Sequence, residues 1–108
     1  MRSEVRFFDE RTRNAYRALE QGDDAQRTRY RAISAVLDTL EVDAFSGVQD
    51  PKRLIPKRYR ARGVRNVWKH DLPDGWRLIY SVLANDRIVI SLIIEWFDHQ
   101  NYERRFGY

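Results

Sequence analysis

The chain has no cysteine and only two histidines, His70 and His99, among 108 residues. That removes a disulfide framework and a thiolate zinc site, and it leaves too few imidazoles for most histidine-rich metal centres. No apolar run approaches the roughly 20 residues that span a bilayer, and Met1-Arg2-Ser3-Glu4 is not a charged stub leading into an apolar stretch. With 43% hydrophobic residues, a chain of this length can bury a core without staples. The expectation is a single cytoplasmic domain over residues 1–108.

Charge is plentiful and unevenly placed. The net charge is +4, yet residues 1–51 carry −2, residues 52–77 carry +7 and residues 78–108 carry −1. A dense cationic block attracts phosphates, because each neutralised phosphate releases counterions. Lys52, Arg53, Lys57, Arg58, Arg60, Arg62 and Arg65 are the candidate RNA-binding residues, each an ordinary solvated charge when taken singly. Arginine outnumbers lysine in the block, and Tyr59, Trp68 and Trp76 offer rings on which bases can stack.

Patterning gives an order of elements. Ser3 to Phe8 alternates as a short strand, and Asp9 caps a helix from Glu10 to Gln21 that Gly22 stops. Asp23 or Asp24 caps a second helix ending before Gly47, with Tyr30, Ile33, Leu37 and Leu40 forming one apolar stripe. The hairpin these helices form needs a sheet to cover its greasy side. Residues 46–63, with Gly47, Pro51, Pro56 and Gly63, read as a connecting segment with one helical turn, the only candidate linker. Strands follow at Val64–Leu72, Trp76–Leu83 and Ile88–Phe97, the first two joined by Pro73-Asp74-Gly75 and the last two by Asn85-Asp86. The last strand is apolar on both faces, as a central strand is, and Asp98 caps a terminal helix to Phe106. The class is α+β: an N-terminal strand and helical hairpin packed on a small antiparallel sheet.

If Asn85-Asp86 is a two-residue loop, Ala84 pairs with Arg87 and Arg77 falls opposite Ile94. Arg77 and His99 then lie at one end of the sheet, His70 lies nearly opposite Arg77 across the turn, and Tyr102, one helical turn after His99, can face the same way. Each residue also has a plain structural reading. Arg77 can pair with Glu95 or Asp98, His99 can be a solvated helix-start residue, and Tyr102 and Tyr108 can be core or partner-binding aromatics. Trp68, Trp76 and Trp96 read as core. The acids Asp71, Asp74, Glu95 and Asp98 lack metal-ligand spacing, so no metal site is expected.

The strand Gly75-Trp76-Arg77-Leu78-Ile79-Tyr80 resembles the Gly-aromatic-Arg-aliphatic-aliphatic-Tyr strand of the RelE/ParE toxin superfamily. The order of elements is similar too, with a helical hairpin on a small sheet and a His-containing segment, Asp98-His99-Gln100-Asn101-Tyr102, after the last strand. The resemblance implies a RelE-like microbial ribonuclease fold and the toxin of a type II toxin-antitoxin system. It implies a ribosome-dependent endoribonuclease, an mRNA interferase that needs no metal or other cofactor and cleaves through 2′-hydroxyl attack on the adjacent phosphate. Its partners would be mRNA, the ribosome and a cognate antitoxin, with no membrane. The superfamily also contains gyrase inhibitors of the ParE kind, and a non-catalytic RNA- or protein-binding module of the same fold is the other alternative. Arg77 matches the family's strand arginine, and its planar fork suits two phosphate oxygens. His99 and Tyr102 are candidate acid and base, since an imidazole titrates near neutrality and a phenol can donate late in the reaction. Alignment on Gly75 puts Lys69 and His70 where the RelE branch carries lysines, which makes both catalytic candidates.

Overall fold

The computed structural model describes residues 2–107, so Tyr108 lies outside the described residues. The chain runs β1 (Arg2–Phe7), α1 (Glu10–Glu20), α2 (Asp24–Val42), β2 (Val48–Gln49), a 3₁₀ turn (Lys52–Leu54), α3 (Lys57–Arg60), β3 (Trp68–Asp71), a second 3₁₀ turn (Pro73–Gly75), β4 (Arg77–Ala84), β5 (Ile88–Phe97) and α4 (His99–Phe106). Local chemistry sets the helix ends. Asp9 accepts the Thr12 N–H, Asp23 forms a capping box with Gln26, Asp98 accepts the Asn101 N–H, and Gly107 closes α4 with a left-handed φ of 76°. Among the described residues no helix is long and apolar enough to cross a membrane.

The architecture is mixed α+β around one five-stranded sheet of order β1-β5-β4-β3-β2. The sheet is not wholly antiparallel, because β1 runs parallel to β5, with Arg2 paired to Ile88 and Phe7 to Ile93. β5 is the longest strand, and without β1 its outer edge would present a row of free backbone groups beside apolar side chains.

Each face of the sheet has its own core. On one, Leu78, Tyr80, Val82, Val89 and Ile93 meet Ile33, Val36 and Leu40 of α2 and Leu19 of α1. Tyr30, Leu37, Trp68, Trp76 and Trp96 are half-buried against this cluster. On the other face, Ile79, Ile94 and Phe97 meet Ile55, Tyr59, Val64 and Val67 from the segment between α2 and β3, and Tyr102 and Phe106 from α4.

Residues 46–63 are therefore not a linker. Ile55 and Tyr59 are driven into the second core, and their burial pins the intervening cations to that face. The segment also contributes β2, a two-residue strand paired with Trp68 and Lys69. The strand expected from Val64 begins only at Trp68, because Asn66 bonds β4 through its side chain instead. Its amide oxygen accepts from the Val82 N–H at 2.8 Å and its Nδ2 donates to the Val82 carbonyl at 2.9 Å.

Two details reset the β4–β5 register. The Asn85 side chain accepts from the N–H groups of both Arg87 and Ile88, which makes a wider loop than the two residues expected, and Ala84 pairs with Val89. A bulge follows, since Tyr80 pairs with Ile93 but Ile79 with Glu95, leaving Ile94 as the extra residue. Arg77 therefore lies opposite Phe97 rather than Ile94.

Candidate functional site

Arg77 opens β4 at the end of the sheet where β3 and β5 finish and α4 begins. Its paired neighbours are Asp71 on β3 and Phe97 on β5, and directly paired residues share a face. That face is the one α4 covers. The Arg77 guanidinium carbon stands 5.2 Å from the centre of the Tyr102 ring, and its Nη1 donates to Asp71 Oδ1 at 2.8 Å. Neither Glu95 nor Asp98 is its partner. The side chain is 23% exposed, and its Nε is buried with no hydrogen-bond partner among the described residues.

Below Arg77 sits a compact polar network. Asp50, whose side chain is only 3% exposed, pairs with Lys69 Nζ at 3.3 Å. Lys69 Nζ donates to the Tyr102 phenol oxygen at 3.0 Å, and that phenol donates to Asp50 Oδ2 at 3.2 Å. Lys69 also lies 5.1 Å from the Tyr102 ring centre. Tyr102 is thus buried with its hydroxyl fixed by a cation and a carboxylate, and two cations touch its ring.

The histidines are placed differently. His70 pairs with Leu78, a residue of the α2-side core, so it occupies the face opposite Arg77. The expected convergence of His70 with Arg77 does not occur, because the alternation of side chains along β3 puts Lys69 and Asp71, not His70, on the Arg77 face. His99 is the first residue of α4 and flanks the β3–β4 turn, where a Cβ added at Gly75 would stand 3.9 Å from its own Cβ. It is 59% exposed, and its Nε2 lies 2.8 Å from Glu103 Oε1. Arg77, Lys69 and Tyr102 therefore gather at one end of one face, and His99 stands at that same end of the sheet, beside the β3–β4 turn.

The cationic residues lie on the segment that packs against the same face of the sheet. Lys52, Arg53, Lys57, Arg58, Arg60 and Arg65 are exposed on the segment that roofs the second core. Arg62 is tied down, donating to Asp9 Oδ2 at 3.0 Å and lying over the Phe8 ring at 4.4 Å. The aromatics of the block are not free to receive bases. Tyr59 is buried beneath α4 and donates its hydroxyl to Glu95, Trp68 stacks on Tyr80, and Trp76 lies under the Arg29 guanidinium. Burial, reinforced by the Glu95 carboxylate, pushes the Tyr59 phenol far above its ordinary value, which keeps it a proton donor.

Asp50, beside Pro51, carries no local sequence signal of the network it joins. Glu95 carried a legible signal as the one acid inside the apolar strand Ile88–Phe97. The bulge at Ile94 brings it onto the α4 face, where it also pairs with Arg105 at 3.4 Å.

No protein-family model matches this chain, and no curated protein or solved structure does either. What fold and site define is a mixed α+β domain that presents an arginine, a lysine and a buried tyrosine at one end of its sheet, with exposed cations on the segment that packs on the same face.

Proposed function

We propose that this chain is a RelE-type toxin: a metal-independent endoribonuclease directed at mRNA and held in check by an antitoxin that covers the cationic face. The observation that carries the reading is the position of Arg77. The arginine of the Gly75-to-Tyr80 motif lies on the same face as Lys69 and Tyr102, with an Nε that none of the described residues satisfies. The helical hairpin on one side of the sheet agrees with a RelE-like fold, and the exposed cations around the second core agree with an RNA partner.

The chemistry follows from transesterification. The 2′-oxygen forms a bond to phosphorus while the bond from phosphorus to the 5′-oxygen breaks, leaving a 2′,3′-cyclic phosphate and a 5′-hydroxyl end. Charge develops on the equatorial oxygens, and the Arg77 fork stabilises it. Lys69 adds a second cation. The 2′-hydroxyl proton must reach a base and the 5′-oxygen must receive one, and His99 and Tyr102 stand at this end of the sheet to serve. His70 has no part in the proposal, because it occupies the other face.

Translation of a reporter mRNA in a cell-free system, with mapping of mRNA ends, tests the reading. Codon-phased cuts with the wild type that vanish with Arg77→Ala support it, and intact mRNA with both proteins overturns it. One observation favours a second reading. Lys69 and Tyr102 are locked to Asp50, as they would be in a module that retains RNA without cutting it, and RNA retention without new ends distinguishes that case.

A further inference from the structure

A second concave site lies away from Arg77, between the start of α1, the α3 segment, the β5 bulge and the end of α4. Its volume is about 470 Å³, inside the range of small-molecule pockets. Four arginines line it, Arg11, Arg58, Arg62 and Arg105, against two carboxylates, Asp9 and Glu95. None of Arg77, Lys69, Asp50 or Tyr102 belongs to it.

The two acids are already committed. Asp9 accepts the Thr12 N–H and hydroxyl at 2.8 Å each, together with Arg62, and Glu95 accepts the Tyr59 hydroxyl and pairs with Arg105. Because the Asp9 carboxylate caps α1, the helix terminus supplies no free anion site, and the cationic character comes from side chains alone. Among the described residues no ion pair holds Arg11 or Arg58, and Arg105 Nε is buried with no partner. Two exposed arginines of the cleft thus remain uncompensated.

We propose that this cleft binds a nucleoside phosphate, with the phosphoryl group held by Arg11 and Arg58. Guanidinium forks match phosphoryl oxygens in pairs, and a wall of arginine rather than lysine selects for that planar geometry. The cleft is also larger than a lone phosphate needs. Phe8 is covered by the Arg62 guanidinium, 4.4 Å over its ring, and that planar cation gives the cleft a flat flank on which a base can stack. The proposal goes beyond the cleavage reading and does not need it. A free nucleotide and a phosphate of an RNA strand present the same chemistry here.

Titration of the full chain with a nucleoside 5′-monophosphate and, separately, with a single-stranded pentaribonucleotide tests the site. The Arg11→Gln/Arg58→Gln variant is expected to lose at least about ten-fold in affinity, while Arg87→Gln, at an exposed arginine outside the cleft, leaves monophosphate binding unchanged. Both substituted side chains are exposed, so the variant keeps its fold, which circular dichroism checks. Monophosphate binding weakened by the double substitution identifies a free nucleotide; pentaribonucleotide binding alone, weakened in the same way, identifies a strand phosphate. Either supports the site. It is overturned if neither ligand loses affinity in the double variant, or if an oligoglutamate peptide displaces the nucleotide at equal concentration. Since no cleavage is read, failure here is separate from failure of the ribonuclease proposal.

Discussion

Lys69 Nζ lies 3.0 Å from the phenol oxygen of Tyr102, although 33 residues separate them in the chain. Asp50, only 3% exposed, holds both. This three-residue network fixes α4 against β3, and α4 in turn places the Tyr102 ring against Arg77.

Asp50→Asn removes the charge that compensates Lys69 while keeping the shape. The expected loss is about 2 kcal/mol, less than for a fully buried pair because Lys69 is a quarter exposed. Urea denaturation measures it. Adding Lys69→Met should restore much of the loss, and a single-variant loss below about 0.5 kcal/mol would show that the network contributes little.

Asp71 competes with any anion for the Arg77 guanidinium, yet it is 81% exposed. Asp71→Asn should therefore tighten binding of a short RNA by about two- to five-fold at low salt, with almost no change in stability. Unchanged affinity in a filter-binding or anisotropy titration would remove Arg77 from the RNA contact.

Tyr80 donates to the Ala44 carbonyl at 3.0 Å and accepts from the Gly47 N–H at 3.1 Å. Burial pushes its phenol from 10.0 up to about 12. A raised folded value means the protonated form stabilises the fold, so this contribution is complete below pH 10 and fades as the pH climbs toward about 12. Tyr80→Phe should flatten that alkaline loss at the cost of about 1–2 kcal/mol at neutral pH, from the two backbone groups it leaves unpaired. Thermal melts at a series of alkaline pH values give the comparison.

Gly47 is required by proximity rather than by backbone angle. A Cβ there would come within 2.5 Å of both the Lys69 carbonyl oxygen and the Tyr80 hydroxyl. The carbonyl belongs to the sheet and cannot move alone, so Gly47→Ala should open the β2–β3 pairing and cost about 2 kcal/mol, roughly 10 °C in Tm. An unchanged Tm would mean that this corner is loosely packed.

Asp9 has its carboxyl held below the ordinary 3.8, first by the Thr12 backbone N–H, then by the Thr12 hydroxyl and Arg62. A depressed folded value contributes stability above pH 3.8 that is lost as the pH falls through the lowered value. Asp9→Ala should cost about 1 kcal/mol at pH 7 and blunt the acid dependence below pH 4. An acid limb as steep as the wild type's in the variant would assign it to other carboxylates.

Several features of the fold were legible because their causes are local. Asp9, Asp23 and Asp98 cap helices with their own side chains, and Ile33 and Leu40 mark the buried stripe of α2 by spacing alone. The turn at Pro73-Asp74-Gly75 likewise follows from residues that tolerate positive φ, 62° at Asp74 and 76° at Gly75. Other features were hidden because they depend on distant partners. Nothing within Val48–Gln49 marks it as a strand until Trp68 and Lys69 lie beside it. The bulge at Ile94 likewise exists only in the pairing of β4 with β5.

The sequence by itself determined the helical hairpin, the run of strands, the cationic block and the place of Arg77 at the head of a strand, since periodicity, capping and turn chemistry act over a few residues. Only the tertiary structure decided which side chains meet. Strand register is set by the bulge and by a wider loop, and a shift of one residue exchanges faces. The β3–β4 pairing set His70 on the face opposite Arg77, and the packing of distant segments buried Tyr59 beneath α4, joined Asp50 to Lys69 and Tyr102, and fixed the cations over the second core.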